Sequence, residues 1–81
     1  PANPDPLTLR VWTSGDRVII RGDVSERAVC SVFDLQGRKL TETGLTGGDL
    51  NSVTLPSGSK GVYLVRVTDG LKVTARKVVV L

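Results

Sequence analysis

The amino-acid sequence predicts an all-β protein, a seven-stranded antiparallel immunoglobulin-like β-sandwich. Three observations lead to this fold class. Seven short runs alternate apolar and polar residues with a period of two, turn residues separate them at intervals of about 8–12 residues, and no run has the spacing of a helix. A chain of 81 residues forms one domain with a thin core, so two packed layers are the most that it can build.

The N-terminal segment PANPDP predicts a linker. Three of its six residues are proline, and proline-rich segments favour an extended, semi-rigid chain over a packed element. We therefore assign residues 1–6 to a linker remnant and residues 7–81 to the folded domain. This boundary also leads us to expect that the domain is a module of a larger protein.

The first two strands follow the linker. Apolar and polar residues alternate from Leu7 to Trp12, and the motif SGD then turns the chain into RVIIRGD, residues 17–23. Glycine and aspartate favour turns, so we expect Gly22 and Asp23 to end the second strand.

The next three strands are separated by glycine-rich turns. RAVCSVFDL, residues 27–35, is followed by QGRKLTET, residues 36–43, in which Gly37 can supply the positive φ of a tight hairpin turn. A flexible connection, GLTGGD, precedes the strand LNSVTL at residues 50–55, which Pro56 ends.

The last two strands, VYLVRVTD and LKVTARKVVVL, flank Asp69-Gly70, the strongest short hairpin signal in the chain. Counting in twos along the final strand assigns most of its apolar residues to one face, with Lys77 as an interruption: Leu71, Val73, Ala75, Val79 and Leu81. We expect this face to pack on the core and Val78 and Val80 to be exposed. The alternative is a bulge near Lys77 that buries both valines.

The charged residues predict a solvated surface and no nucleic-acid partner. The 11 basic and 8 acidic side chains give a net charge of +3 and are scattered along the chain. Basic tracts and aromatic stacking platforms are typical of nucleic-acid interfaces, and this chain has no basic tract and one residue each of Trp, Tyr and Phe. No apolar run approaches the roughly 20 residues of a membrane span, so we expect no direct membrane insertion.

The residue types also argue against catalysis and metal binding. The chain has no histidine and a single cysteine, Cys30, within a strand-like run where it is expected to be a small buried hydrophobe. The common zinc sites and the Ser-His and Cys-His nucleophile pairs therefore cannot be assembled. Five aspartates lie, nearly all of them, in or beside predicted turns, where aspartate bonds to backbone N–H groups: Asp16, Asp23, Asp34, Asp49 and Asp69. The alternative is a paired acid/base site. We expect no catalytic residues, no metal site and no cofactor.

Trp12 and Tyr63 have two interpretations. A small sandwich needs large apolar side chains in its core, so we expect both residues to be buried. The alternative for Trp12 is an exposed position at which its ring stacks on a sugar.

Three segments resemble a known family. SVFDLQGRKL at residues 31–40, LPSGSKGVYLVRVTDG at 55–70 and RKVVVL at 76–81 resemble the C-terminal sorting domain of the type IX secretion system of Bacteroidetes. The residues that match its motifs are Phe33, Asp34, Leu35, Gly37 and Arg38 in the first segment, Gly61, Tyr63, Leu64, Val65, Arg66 and Val67 in the second, and Lys77, Val78, Val79 and Val80 in the third.

The resemblance implies an export signal without catalysis. Such a domain directs an N-terminal cargo from the periplasm across the outer membrane, to the cell surface or the medium, and its partners are an outer-membrane translocon and a sortase-like peptidase. The residues expected to carry the signal are Lys77, Val78, Val79, Val80 and Leu81. The alternative function is an immunoglobulin-like spacer or carbohydrate-binding module of a cell-surface enzyme.

Overall fold

The computed structural model of the chain describes residues 8–56 and 60–81. These residues form seven strands: β1 (Arg10–Ser14), β2 (Arg17–Val24), β3 (Val29–Phe33), β4 (Lys39–Gly44), β5 (Gly48–Thr54), β6 (Gly61–Asp69) and β7 (Lys72–Val80). The predicted linker remnant, residues 1–6, lies outside the described residues. No helix long and apolar enough to cross a membrane occurs in the described part of the chain.

The strands form two antiparallel sheets that pack as a sandwich, which confirms the predicted immunoglobulin-like fold class. One sheet has the order β1-β2-β5 and the other has the order β4-β3-β6-β7. Every strand pairs antiparallel with its neighbours. The fully buried side chains between the sheets include Val18, Ile20, Cys30, Val32 and Val67.

Cys30 is a core residue, as the sequence predicts. Its side chain is fully buried and forms no disulfide. Burial raises the pKa of the thiol to about 11, because a thiolate would be poorly solvated in the core. The thiol therefore stays protonated at neutral pH and behaves as a small apolar group.

Trp12 is not in the core, and the expectation that it would be buried is wrong. Its exposed fraction is 42%, because Trp12 lies opposite Ile19 on the outer face of the three-stranded sheet. The inward positions of β1 belong to its neighbours Val11 and Thr13, which are opposite the fully buried Ile20 and Val18. Tyr63, in contrast, is partly buried and packs against the core.

The second strand also differs from expectation. Gly22 and Asp23 do not end β2, which continues to Val24 through an irregularity in its pairing with β5. Gly22 has φ of 139°, and its α-carbon lies so near the segment entering β1 that a β-carbon would be 2.6 Å from the Thr8 carbonyl oxygen. The glycine lets the two backbones approach each other where the strand bends.

Candidate recognition site

The three segments that resemble the sorting-domain motifs lie side by side on the four-stranded sheet. Phe33 of β3 is opposite Leu64 of β6, and Leu64 is opposite Lys77 of β7. Each segment therefore contributes one residue to a single row across neighbouring strands. Opposite residues point to the same face of a sheet, so the row lies on one side of it. This side is the outer one, because the alternate residues Val32 and Val65 are buried in the core.

The outer surface around this row is apolar, with two cationic side chains. We name it the motif face and define it by Phe33, Leu64, Arg66, Lys77 and Val79. The Arg66 guanidinium carbon lies 5.2 Å from the centre of the Phe33 ring, within the range of a cation–π contact. Leu64 and Val79 have exposed fractions of 38% and 51%. A partner can therefore contact apolar and charged groups here together.

An open concavity of about 340 Å³ lies on the motif face beside the turn between β3 and β4. Its lining residues are Phe33, Asp34, Leu35, Gly37, Leu64, Arg66 and Lys77. Leu35 projects from the turn with an exposed fraction of 67%. The concavity has room for an apolar side chain of a partner protein.

Asp34 organises the turn that borders this concavity. Its Oδ1 accepts hydrogen bonds from the backbone N–H groups of Gln36 and Arg38, each at 2.9 Å, and its Oδ2 accepts one from the Arg38 side chain at 2.8 Å. The backbone N–H of Gly37 donates to the Asp34 carbonyl at 3.1 Å. The matched residues Asp34, Gly37 and Arg38 therefore hold the shape of the turn.

Gly37 has φ of 88°, which confirms the predicted positive φ. We expect Gly37→Val to lower the free energy of unfolding by about 1–3 kcal/mol, because a β-branched residue is strained in this region. A β-carbon at this position would meet nothing within 4 Å, so the loss is conformational and not steric. Urea denaturation measures it.

The matched control is Gly44→Val, at a glycine of β4 that has ordinary φ and no atom within 4 Å of the place that a β-carbon would occupy. Exposed substitutions of this kind stay within about 0.5 kcal/mol. Equal effects of the two variants would contradict the assignment of strain to Gly37.

Acid is expected to destabilise the domain through Asp34. The backbone N–H of Arg38, followed by its side chain and the backbone of Gln36, lowers the pKa of this carboxyl below its ordinary 3.8. The folded state therefore binds the proton less readily than the unfolded state. The resulting stabilisation is complete above pH 3.8 and is lost as the pH falls through the lower pKa of the folded state.

Thermal melts between pH 7 and pH 2 measure this effect. The melting temperature of Asp34→Asn should already be lower at pH 7, because the amide replaces a charged acceptor, and should fall less on acidification. An identical acid-induced decrease in the two proteins would show that Asp34 does not contribute.

Val78 and Val80 are buried, so the prediction that they face outward is wrong. Their exposed fractions are 5% and 6%, whereas Val79, between them, is half exposed. The bulge near Lys77 is also absent, because β6 and β7 pair in unbroken register from Gly61–Val80 to Asp69–Lys72. The whole of β7 therefore presents the opposite face to the core from the one predicted.

Of the remaining residues predicted to belong to the motifs or the signal, some pack on the core and others are exposed. Val65 and Val67 are buried, and Tyr63 packs on the core while its hydroxyl donates to the Lys60 carbonyl at 3.3 Å. Gly61 begins β6 with φ of 127°. Leu81, in contrast, is 99% exposed. Of the predicted signal residues, Lys77, Val79 and Leu81 are accessible to a partner.

Phe33, Leu64 and Arg66 matched the family motifs but were not singled out as signal residues. They join Lys77 on one face only because of the register between β3, β6 and β7. The alternation of Leu64 and Arg66 with the buried Val65 and Val67 was the available signal, since it assigns them to the outer face.

Two of the five aspartates, Asp34 and Asp69, have structural roles, whereas Asp23 and Asp49 lie within β2 and β5 and not in the predicted turns. Both oxygens of Asp69 accept hydrogen bonds from Ser25, one from the backbone N–H at 2.8 Å and one from the hydroxyl at 2.6 Å. Asp34 has its partners within its own turn. Among residues 8–56 and 60–81, no three metal-ligating side chains converge.

The sequence matches a known protein family. The profile of the family described as "Secretion system C-terminal sorting domain" matches residues 14–81, which include β2 to β7 and all three segments. The chain matches no curated protein in a sequence search. The chain belongs to the family of C-terminal sorting domains of the type IX secretion system.

Proposed function

We propose that this domain directs a larger cargo protein through the type IX system of Bacteroidetes by presenting the motif face to the outer-membrane translocon. The supporting observation is the row of Phe33, Leu64 and Lys77, which brings all three motif segments to one exposed surface. The cargo precedes the domain, residues 1–6 form part of the linker, and a sortase-like peptidase acts on the complex. The domain itself carries out no catalysis.

Recognition through side chains is favoured over pairing along the edge of β7. β7 is an edge strand, but the Thr13 hydroxyl of β1 donates to the Val79 carbonyl at 2.7 Å. An added strand would compete for this carbonyl. The outward side chains of Lys77 and Val79 remain accessible, whereas Val78 and Val80 act as anchors that hold β7 on the core.

An export assay tests this proposal. Residues 1–81 are fused to a periplasmic reporter in a Bacteroidetes host that has the type IX system, and the reporter is measured in the periplasm, on the surface and in the medium. We expect export of the unmodified fusion and retention of Lys77→Gln/Val79→Thr in the periplasm. Export should fall by roughly tenfold or more, the factor that about 1.4 kcal/mol of lost recognition energy produces.

The matched control is Lys72→Gln/Val73→Thr, which makes the same changes at the other end of β7. Val73 and Val79 are 45% and 51% exposed and both lysines are exposed, so neither double variant disturbs the core. Melting temperatures near that of the unmodified domain show that both fold. Normal export of folded Lys77→Gln/Val79→Thr, or equal retention of both variants, would contradict recognition at the motif face. Failure of the unmodified fusion to leave the periplasm would instead favour a spacer.

A further inference from the structure

The outer face of the three-stranded sheet is a second surface with a distinct chemistry. We name it the arginine face and define it by Arg10, Trp12, Arg17, Ile19, Arg21 and Leu50. The pairing register places Arg10 opposite Arg21 and Arg21 opposite Leu50, and it places Trp12 opposite Ile19. An apolar centre therefore lies between Arg17 and the Arg10–Arg21 pair. This face lies on the other side of the sandwich from the motif face.

The charges on the arginine face are uncompensated. Like charges directly opposite each other on neighbouring strands destabilise a sheet, and Arg10 and Arg21 are such a pair. No carboxylate lies on this face in the regularly paired parts of β1, β2 and β5, and Asp23 comes after the irregularity in β2. Within the described ranges, the side chains of Arg10, Arg17 and Arg21 have no ion pair or hydrogen bond. This arrangement does not favour stability, whereas an anionic ligand would neutralise the charges.

The shape of the face provides room beside the arginines. An open concavity of about 460 Å³ is lined by Arg10 and Arg21 together with Thr8, Leu9 and Gly22. A second concavity, of about 320 Å³, is lined by Arg17, Ile19, Leu50, Asn51 and Ser52. Trp12, 42% exposed, lies near the middle of the face. Cationic groups are thus available at both ends of a partly apolar surface.

We propose that the arginine face binds an acidic polysaccharide. A planar guanidinium binds a carboxylate through two parallel hydrogen bonds, and the exposed indole of Trp12 can pack against the C–H groups of a sugar ring. Arg17 and Arg21 are four residues apart on β2, which corresponds to about 13 Å along a strand. This separation suits a polymer with repeated acidic groups better than a single small anion.

An acidic peptide is a poorer fit to this surface. Arginine clusters bind acidic peptide motifs as well as acidic sugars, so the other groups on the face decide between the two ligands. The arginine face includes the central strand β2, whose backbone is already paired on both sides, and it contains a single aromatic residue. Trp12 is exposed among the arginines, and it gives the face a shallow apolar surface on which a flat sugar ring can lie.

Binding of oligogalacturonate, an oligomer of a carboxylated sugar, tests this proposal. Calorimetric titration of the 81-residue chain should detect oligogalacturonate and should not detect a methyl-esterified oligomer of the same length. We expect Arg10→Gln/Arg21→Gln to weaken binding by about tenfold or more, since hydrogen bonds to charged groups each contribute about that factor. Trp12→Ala should weaken binding as well. Binding independent of esterification, or absent altogether, would overturn the proposal.

The control is Lys72→Gln/Arg76→Gln, on β7. Each double variant lowers the net charge from +3 to 3 − 2 = +1, so a loss confined to the arginine-face variant cannot come from net charge. Arg10→Gln/Arg21→Gln should also melt no lower than the unmodified domain, because it removes a repulsive pair. Equal losses in the two variants, or tighter binding of polyglutamate or single-stranded DNA than of oligogalacturonate, would refute the assignment. The assay does not involve export, so it is independent of the sorting role.

Discussion

Val78→Thr/Val80→Thr is expected to lower the free energy of unfolding by about 2–5 kcal/mol, because it buries two hydroxyl groups in an apolar core. Both valines are more than nine-tenths buried. They lie opposite Tyr63 and Gly61 at the beginning of β6. Small domains have only about 5–15 kcal/mol of total stability, so this variant should be partly unfolded near the growth temperature of the host cell.

The matched control replaces the two exposed valines of the same strand by threonine. Val73→Thr/Val79→Thr introduces the same two hydroxyl groups on the outer face, where substitutions usually change stability by about 0.5 kcal/mol or less each. Urea denaturation of both variants measures the difference. Equal stability of the two would show that β7 does not bury Val78 and Val80. Loss of export by the buried variant would report unfolding and would carry no information on recognition.

Gly22→Ala is expected to destabilise the domain by several kcal/mol, more than Gly37→Val. Two effects combine at this position, since φ of 139° disfavours any L-residue and a β-carbon would lie 2.5 Å from Leu9 Cδ2 and 2.6 Å from the Thr8 carbonyl oxygen. The Leu9 side chain can rotate away, but the carbonyl belongs to the backbone. The segment before β1 must therefore shift, and Leu9, which is buried, moves with it.

Comparison with Gly37→Ala separates the two effects. Gly37 also has positive φ, but no atom lies within 4 Å of the position of its missing β-carbon. Urea denaturation should give about 1–3 kcal/mol for Gly37→Ala, the range for strained backbone conformations, and a larger loss for Gly22→Ala. A smaller loss at Gly22 than at Gly37 would show that the close approach of the two backbones is absent.

The structure changes how the predicted signal residues are interpreted. Lys77 and Val79 are exposed on the motif face, whereas Val78 and Val80 anchor the strand. Substitutions of the two pairs therefore test different properties, recognition in the first case and folding in the second. Export assays of β7 variants need a stability measurement beside them for this reason.

Turn residues and the alternation of apolar with polar residues could be interpreted from the sequence, because both depend only on residues that are neighbours along the chain. The tight turn at Gly37 needs a positive φ, which glycine supplies. Gly70 is the first residue of the two-residue loop between β6 and β7, and its positive φ is the one that a two-residue hairpin loop needs at this position. The period of two in each run depends only on the pleat of a strand. The sequence alone therefore determined an antiparallel sandwich with seven strands, and its three motif segments indicated the family.

Only the tertiary structure decided which face of β7 is buried. Both faces of β7 carry apolar residues, so alternation could not assign them. The pairing of Thr74 and Arg76 with the core residues Val67 and Val65 turns the face of Val78 and Val80 inward. Arg76, on the same face, remains exposed. Trp12 shares its face of β1 with Arg10, and the register of β1 against β2 places that face on the outside of the sandwich, opposite Ile19.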